Sequence, residues 1–229
     1  MSLPRPAMPF WRKGDRGASL VESALASIVL IITLLGIFEF SVLFRDYLSV
    51  KDAADVAAGE AASYGSRFDS NGSITGDAVV AATIRNATGV FPSENIEKIV
   101  VWQANTDTKS APPQECIDSD TAIRTSTIRC NVYGKEAVAA VQAGEMTYFV
   151  CEENPTTQEP IFSSNVRACG YPSFTRKDEL GSSDIDYVGV YIQVRHNFAT
   201  GFFSGGMTIS AYSVKRMEVR RSESQSVVQ

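Results

Sequence analysis

The sequence predicts an α+β protein in which a long N-terminal transmembrane helix continues into a small extracytoplasmic domain, with an antiparallel sheet packed on the helix. Three observations carry this. Residues 18–44 read ASLVESALASIVLIITLLGIFEFSVLF, where Glu22 and Glu39 are the only charges. Residues 45–64 (RDYLSVKDAADVAAGEAASY) are alanine-rich and free of proline. Further on, Val188, Val190, Ile192 and Val194 alternate with Tyr187, Gly189, Tyr191, Gln193 and Arg195, the period of two that marks a strand with one apolar face.

The apolar run at 18–44 forms a helix of roughly 40 Å at about 1.5 Å per residue, enough to cross a hydrocarbon core of about 30 Å. Its two carboxylates fall near opposite ends, away from the bilayer centre, where an ionised group costs several kcal/mol. Arg5, Arg12, Lys13 and Arg16 precede it against Asp15 alone. The positive-inside rule then places residues 1–17 in the cytoplasm and the chain beyond about residue 45 outside. A cleaved secretory signal is disfavoured, because the run ends in Phe44-Arg45-Asp46-Tyr47 with no small-x-small site beside it.

The extension at 45–64 stays helical on alanine propensity, with Lys51 and Asp55 paired at i, i+4 and Gly65 as a stop. A polar loop follows. A second helix starts at Thr75 or Gly76, runs through Arg85 with Val80 and Ile84 on one stripe, and ends before Gly89 and Pro92. Ile96 to Ala104 is a β-branched strand. Residues 105–134 and 152–184 read as irregular, with a short helix at Glu136–Gln142 and a strand at Met146–Val150 between them. The alternating strand closes the domain, turning through Ala199–Gly206 to an antiparallel partner that begins at Met207.

The expected organisation is thus a basic leader (1–17), a transmembrane segment (18–44), a helix extension (45–65), an outer α+β domain (66–220) and a polar tail (221–229). A cysteine-bearing insertion occupies about 105–184. Its Cys116, Cys130, Cys151 and Cys169 lack the paired spacing of a zinc site and suit two disulfides in an oxidising compartment. Sequence-local pairing is favoured among the three connectivities that four cysteines allow.

Two patterns go beyond a plain anchor. Arg16-Gly17-Ala18-Ser19-Leu20-Val21-Glu22 sets a basic leader, a glycine and a glutamate at the head of an apolar helix. It resembles the type IV prepilin signal, which implies cleavage by a prepilin peptidase between Gly17 and Ala18 and an assembly role for Glu22. Gly36-Ile37-Phe38-Glu39-Phe40, the alanine-rich helix after it, and the closing strands from Asp186 to Arg220 resemble the TadE-like family, in its actinobacterial-type members. That resemblance implies a minor pilin or pseudopilin of tight-adherence (type IVc, Flp) pili. Membrane lipid, other pilin or assembly subunits and the peptidase are then the partners, and Glu39 is a second assembly carboxylate. A membrane-tethered binding or scaffolding module outside any filament is the alternative.

Other functions find little support. The chain carries a net charge of −5, with both ends net positive and the body between them strongly acidic, which argues against a nucleic-acid partner. His196 is the only histidine and shares a strand face with Val194, a core-edge position. The chain lacks Gly-x-Ser-x-Gly, His-Glu-x-x-His, P-loop and dinucleotide motifs, so neither enzyme activity nor cofactor nor metal is expected. The pairs Asp118/Asp120 and Asp184/Asp186 read as solvated loop charges. Phe202 and Phe203, at an apolar hairpin tip, either tuck under the domain or form a contact site for lipid or a neighbouring subunit.

Overall fold

The computed structural model describes residues 15–64, 76–89, 91–104, 110–145, 147–149, 151–153, 156–157, 160–161, 167–172, 175–177, 185–201 and 205–218. The chain divides into two compact units, Met1–Val42 and Leu43–Gln229. Helix α1 runs unbroken over Asp15–Tyr64. No proline interrupts it, and its glycines 17, 36 and 59 face open space. In the first unit nearly every large apolar side chain from Leu20 to Phe40 is exposed.

In the second unit the helix changes character. Leu43, Val50, Ala53, Ala54, Ala57, Ala58, Ala61 and Ala62 recur at three- and four-residue spacing and line the main core. The alanines let the helix backbone lie close to the layer beneath it. That layer is a five-stranded antiparallel sheet ordered β2-β3-β1-β6-β7, from Ile123–Arg124, Arg129–Gly134, Ile96–Ala104, Tyr187–His196 and Met207–Arg216 respectively. Ile99, Val101, Tyr133, Val188, Val190, Ile192, Val194 and Ile209 point to the helix side. Two further helices complete that layer: α2 (Gly76–Ala87) buries Ala78, Val80, Ala81 and Ile84, and α4 (Lys135–Ala143) buries Ala137, Val138 and Val141.

The opposite face carries a smaller cluster built on Val100, Trp102, Val132, Tyr191 and Val214, covered partly by the short helix α3 (Gln114–Asp118) through Cys116 and Ile117. Gly189 sits directly across from Trp102 in the β1–β6 ladder, and an added Cβ would overlap the indole. A two-stranded ribbon pairs β4 (Glu152–Glu153) with β5 (Pro160–Ile161).

Several expectations need correction. The segment 105–134, read as loop, supplies α3, β2 and β3, and β3 pairs with β1 over Lys98–Trp102. Its hydrophobic pattern is broken by Asn131, whose buried side chain is satisfied by distant partners that spacing cannot reveal. Part of 152–184 forms the β4–β5 ribbon. No strand forms at 147–149: Thr147–Phe149 is a 3-10 turn that seats Phe149 against Tyr133, ring centroids 4.6 Å apart. Phe202 and Phe203 lie outside the described residues.

Candidate assembly stem and its supporting contacts

The first unit is chemically simple. Leucine, isoleucine, valine and phenylalanine cover the helix on all sides from Leu20 to Phe40, an apolar surface far larger than water tolerates. The helix is long and apolar enough to cross a membrane, with a mean hydropathy of 2.4 in its most apolar stretch. Its hydroxyls turn inward on their own backbone: Ser23 donates to Ser19 O, Ser27 to Ala24 O, Thr33 to Val29 O and Ser41 to Ile37 O, all at 2.7–2.8 Å. Those groups therefore need no outside partner in hydrocarbon.

Against this background the two glutamates differ. Glu22 is exposed, with no hydrogen bond or ion pair among the described residues. Glu39 is buried, 2% exposed, on the helical row that continues through Leu43, Asp46 and Val50. Sixteen residues lie between them, about 26 Å of rise from one to the other, so they mark opposite ends of the apolar stretch and different faces of the helix. Gly17 is exposed within α1, and the bond between it and Ala18 lies in helical backbone.

In the second unit, Asp46 and His196 meet across 150 residues of sequence: His196 Nδ1 lies 2.6 Å from Asp46 Oδ2, with both side chains buried. Arg45 reaches Asp46 Oδ1 at 3.1 Å, and Phe198 meets the imidazole edge-on at 5.1 Å. Among the described residues His196 Nε2 is buried without a hydrogen-bond partner. His196 is thus an inward-facing tie between the end of β6 and α1. Farther along, Asp55 Oδ1 accepts from Ser213 and Lys215 at 2.8 Å each, tying the helix to β7.

A second buried network was hidden in the sequence. Asp77, in the first turn of α2, pairs with Arg176 and accepts from Asn131 Nδ2; Tyr133 Oη donates to it at 2.6 Å. The helix N-terminus favours a carboxylate there. Arg176 also donates to Tyr171 O at 3.0 Å and lies over the Tyr171 ring. Burial raises the Tyr133 phenol well above its ordinary range, and the charge of Asp77 raises it further. Burial likewise raises Tyr171, with Arg176 opposing. Asp186 belongs to the same region and is no solvated charge: it accepts from Gln103 (3.0 Å), from the Lys177 amide (3.0 Å) and from Tyr171 Oη (3.3 Å). Asp184 lies outside the described residues. Asp118 accepts from Gln114, and Asp120 pairs with Lys98 at 3.3 Å.

All four cysteines are joined in the sequence-local pairing, Cys116–Cys130 and Cys151–Cys169. Residues 17–59, which include the Gly17 and Glu22 signal, the apolar stretch and most of the alanine face, match the family model described as TadE-like protein. No curated protein and no solved structure matches the chain.

Proposed function

From a chain that carries a TadE-like domain over residues 17–59, and is on that account associated with tight-adherence pili, we propose a non-enzymatic minor pilin, or pseudopilin, of type IVc. In this reading α1 anchors the subunit as a single membrane pass, residues 1–17 are cytoplasmic and the sheet domain is extracytoplasmic. A prepilin peptidase cuts between Gly17 and Ala18. Glu22 then faces the new α-ammonium of a neighbouring subunit, since a carboxylate inside a packed apolar bundle needs a charged partner. Glu39, at the far end of the stretch, is the second carboxylate of the assembly.

One observation supports this above the others. Among the described residues of an otherwise self-satisfied apolar helix, Glu22 is exposed and unpartnered, four residues after Ala18. The test is made in cells that hold the pilus assembly system and its peptidase. Intact mass of the membrane-extracted chain should lack residues 1–17, a Gly17 substitution should retain them, and Glu22→Ala should reduce incorporation into filaments severalfold. Retention of the leader in peptidase-competent cells, together with normal assembly of Glu22→Ala, would defeat the proposal in favour of a tethered binding module.

A further inference from the structure

A cavity of about 390 Å³ lies at the end of the sheet where β1 begins and β3 gives way to α4. Val132 and Ala137 supply its apolar lining, and the first turn of α4 forms one wall. Another wall comes from the cysteine-bearing insertion, through Tyr148 and Arg167. These stand three residues before Cys151 and two before Cys169, so the Cys151–Cys169 disulfide ties together the segments that carry them. A volume of this size falls within the range of small-molecule sites, about 300–1,000 Å³.

The charges around the cavity are not balanced pair by pair. Two of its carboxylates are already served: Glu97 accepts from Gln193 at 3.1 Å and faces Arg195 at 3.9 Å, and Asp120 pairs with Lys98 at 3.3 Å. Lys98 is itself fully engaged, since its ammonium also donates to the Ile117 and Ser119 carbonyls at 2.8 and 2.9 Å. That leaves Arg167 and Lys135 as cations, with Glu136 as the remaining acid. Lys135 and Glu136 are exposed to water, whereas Arg167 is half-buried. Its Nη1 is buried without a hydrogen-bond partner among the described residues. A guanidinium so placed has given up water without gaining an acceptor, which costs free energy in the empty protein. An arriving anion offsets that cost. The start of α4 adds to the attraction: Gly134 at its N-cap supplies no side-chain acceptor, and a helix N-terminus favours negative charge.

We propose that this cavity binds a small organic acid. Arg167 and the first turn of α4 hold its carboxylate or phosphate group, Lys135 adds attraction at the rim, and Val132, Ala137 and Tyr148 receive the rest of the molecule. A bare inorganic ion would leave most of the volume unfilled. The site lies wholly within the outer domain and does not depend on the filament reading.

The test is isothermal titration calorimetry on the full chain in detergent, with glucuronate, glucose 6-phosphate, glucose and inorganic phosphate as probes. At least one of the two organic acids should bind with a Kd of about 1 mM or tighter. It should bind more tightly than inorganic phosphate, and glucose should not bind. Whichever acid binds more tightly identifies the anion, carboxylate or phosphate ester. Arg167→Met should weaken that binding about tenfold or more, because a charge-assisted hydrogen bond is lost. Lys135→Met, at an exposed position, should weaken it only about two- to fivefold. In the unliganded protein Arg167→Met should not lower the melting temperature, whereas a guanidinium that serves only the fold would lower it on removal. Failure of both acids to bind, equal binding of glucose or of inorganic phosphate, full affinity in Arg167→Met, or a lowered melting temperature in that variant would overturn the assignment.

Discussion

The sharpest perturbation of the outer domain is Asp77→Ala. It removes the counter-charge of Arg176, whose side chain is 0% exposed, and the acceptor of both Asn131 Nδ2 and Tyr133 Oη. Among the described residues Arg176 then keeps only the Tyr171 carbonyl as acceptor, and its Nε and Nη1 have no hydrogen-bond partner there. Water cannot reach the site without opening the core, so the guanidinium is left as an uncompensated buried charge. Breaking a buried pair from one side costs roughly 3–5 kcal/mol. The stranded Tyr133 hydroxyl falls within that range, because contributions in one network are not additive. Against a domain stability of about 5–15 kcal/mol, this is a third or more of the total. Guanidinium unfolding of the detergent-solubilised chain, followed by the emission of buried Trp102, measures it. Arg176→Met in the Asp77→Ala background removes the stranded charge and should recover roughly 1–3 kcal/mol. A loss below about 1 kcal/mol for Asp77→Ala, or no recovery in the double variant, would refute the reading of this network as a charge-balanced core element.

Three further outcomes are expected. Gly189→Ala pushes a methyl into the Trp102 indole and should cost roughly 1–3 kcal/mol with a red-shifted Trp102 emission; unchanged emission would mean that the indole does not rest on this residue. Ala57→Leu overpacks the helix–sheet contact and should cost a similar 1–3 kcal/mol, whereas Val56→Leu on the exposed face should stay within about 0.5 kcal/mol; equal effects in thermal unfolding would remove the distinction between the faces. The raised Tyr133 and Tyr171 phenols bind their protons more tightly when folded. Their contribution is therefore complete below about pH 10, the unfolded value, and is lost as pH rises beyond it. Melting temperatures should fall above pH 10, and less steeply in Tyr133→Phe.

What the sequence made legible follows from how local the responsible interactions are. The closing hairpin was readable because Val188 to Val194 repeat within one strand, and the helix extension because alanine spacing is a property of one helix. β3 was not, since Arg129–Gly134 is short, contains a cysteine and an asparagine, and becomes a strand by pairing with β1 and by the satisfaction of Asn131 on Asp77 and Tyr171. The same distance hid Asp46 and Asp186. Asp186 read as a solvated loop charge and Asp46 drew no reading of its own, yet each is buried by a partner far along the chain or by backbone that only the fold brings near. His196 was placed on the right face of its strand, but nothing nearby in sequence announced its carboxylate.

The stem inverts the usual rule for a soluble helix, and that inversion isolates one group. From Leu20 to Phe40 nearly all the large apolar residues are exposed, while from Val50 to Ala62 the buried face is mostly alanine. In the proposed role, lipid or neighbouring helices satisfy the first stretch, and its hydroxyls satisfy themselves. Glu22 is what remains. If the helix dipole at its N-terminal end or an interfacial position were enough for it, a neutral residue of the same shape would serve nearly as well, since such effects amount to about 0.3–1 kcal/mol. If a neighbour's α-ammonium is its partner, charge is required, and an uncompensated ammonium in the bundle costs several kcal/mol. Glu22→Gln separates the two: it should impair assembly as severely as Glu22→Ala while leaving membrane insertion and the melting of the sheet domain unchanged. Assembly of Glu22→Gln at near-normal levels, measured as filament-bound subunit over total, would assign Glu22 to the helix end and remove it from the interface.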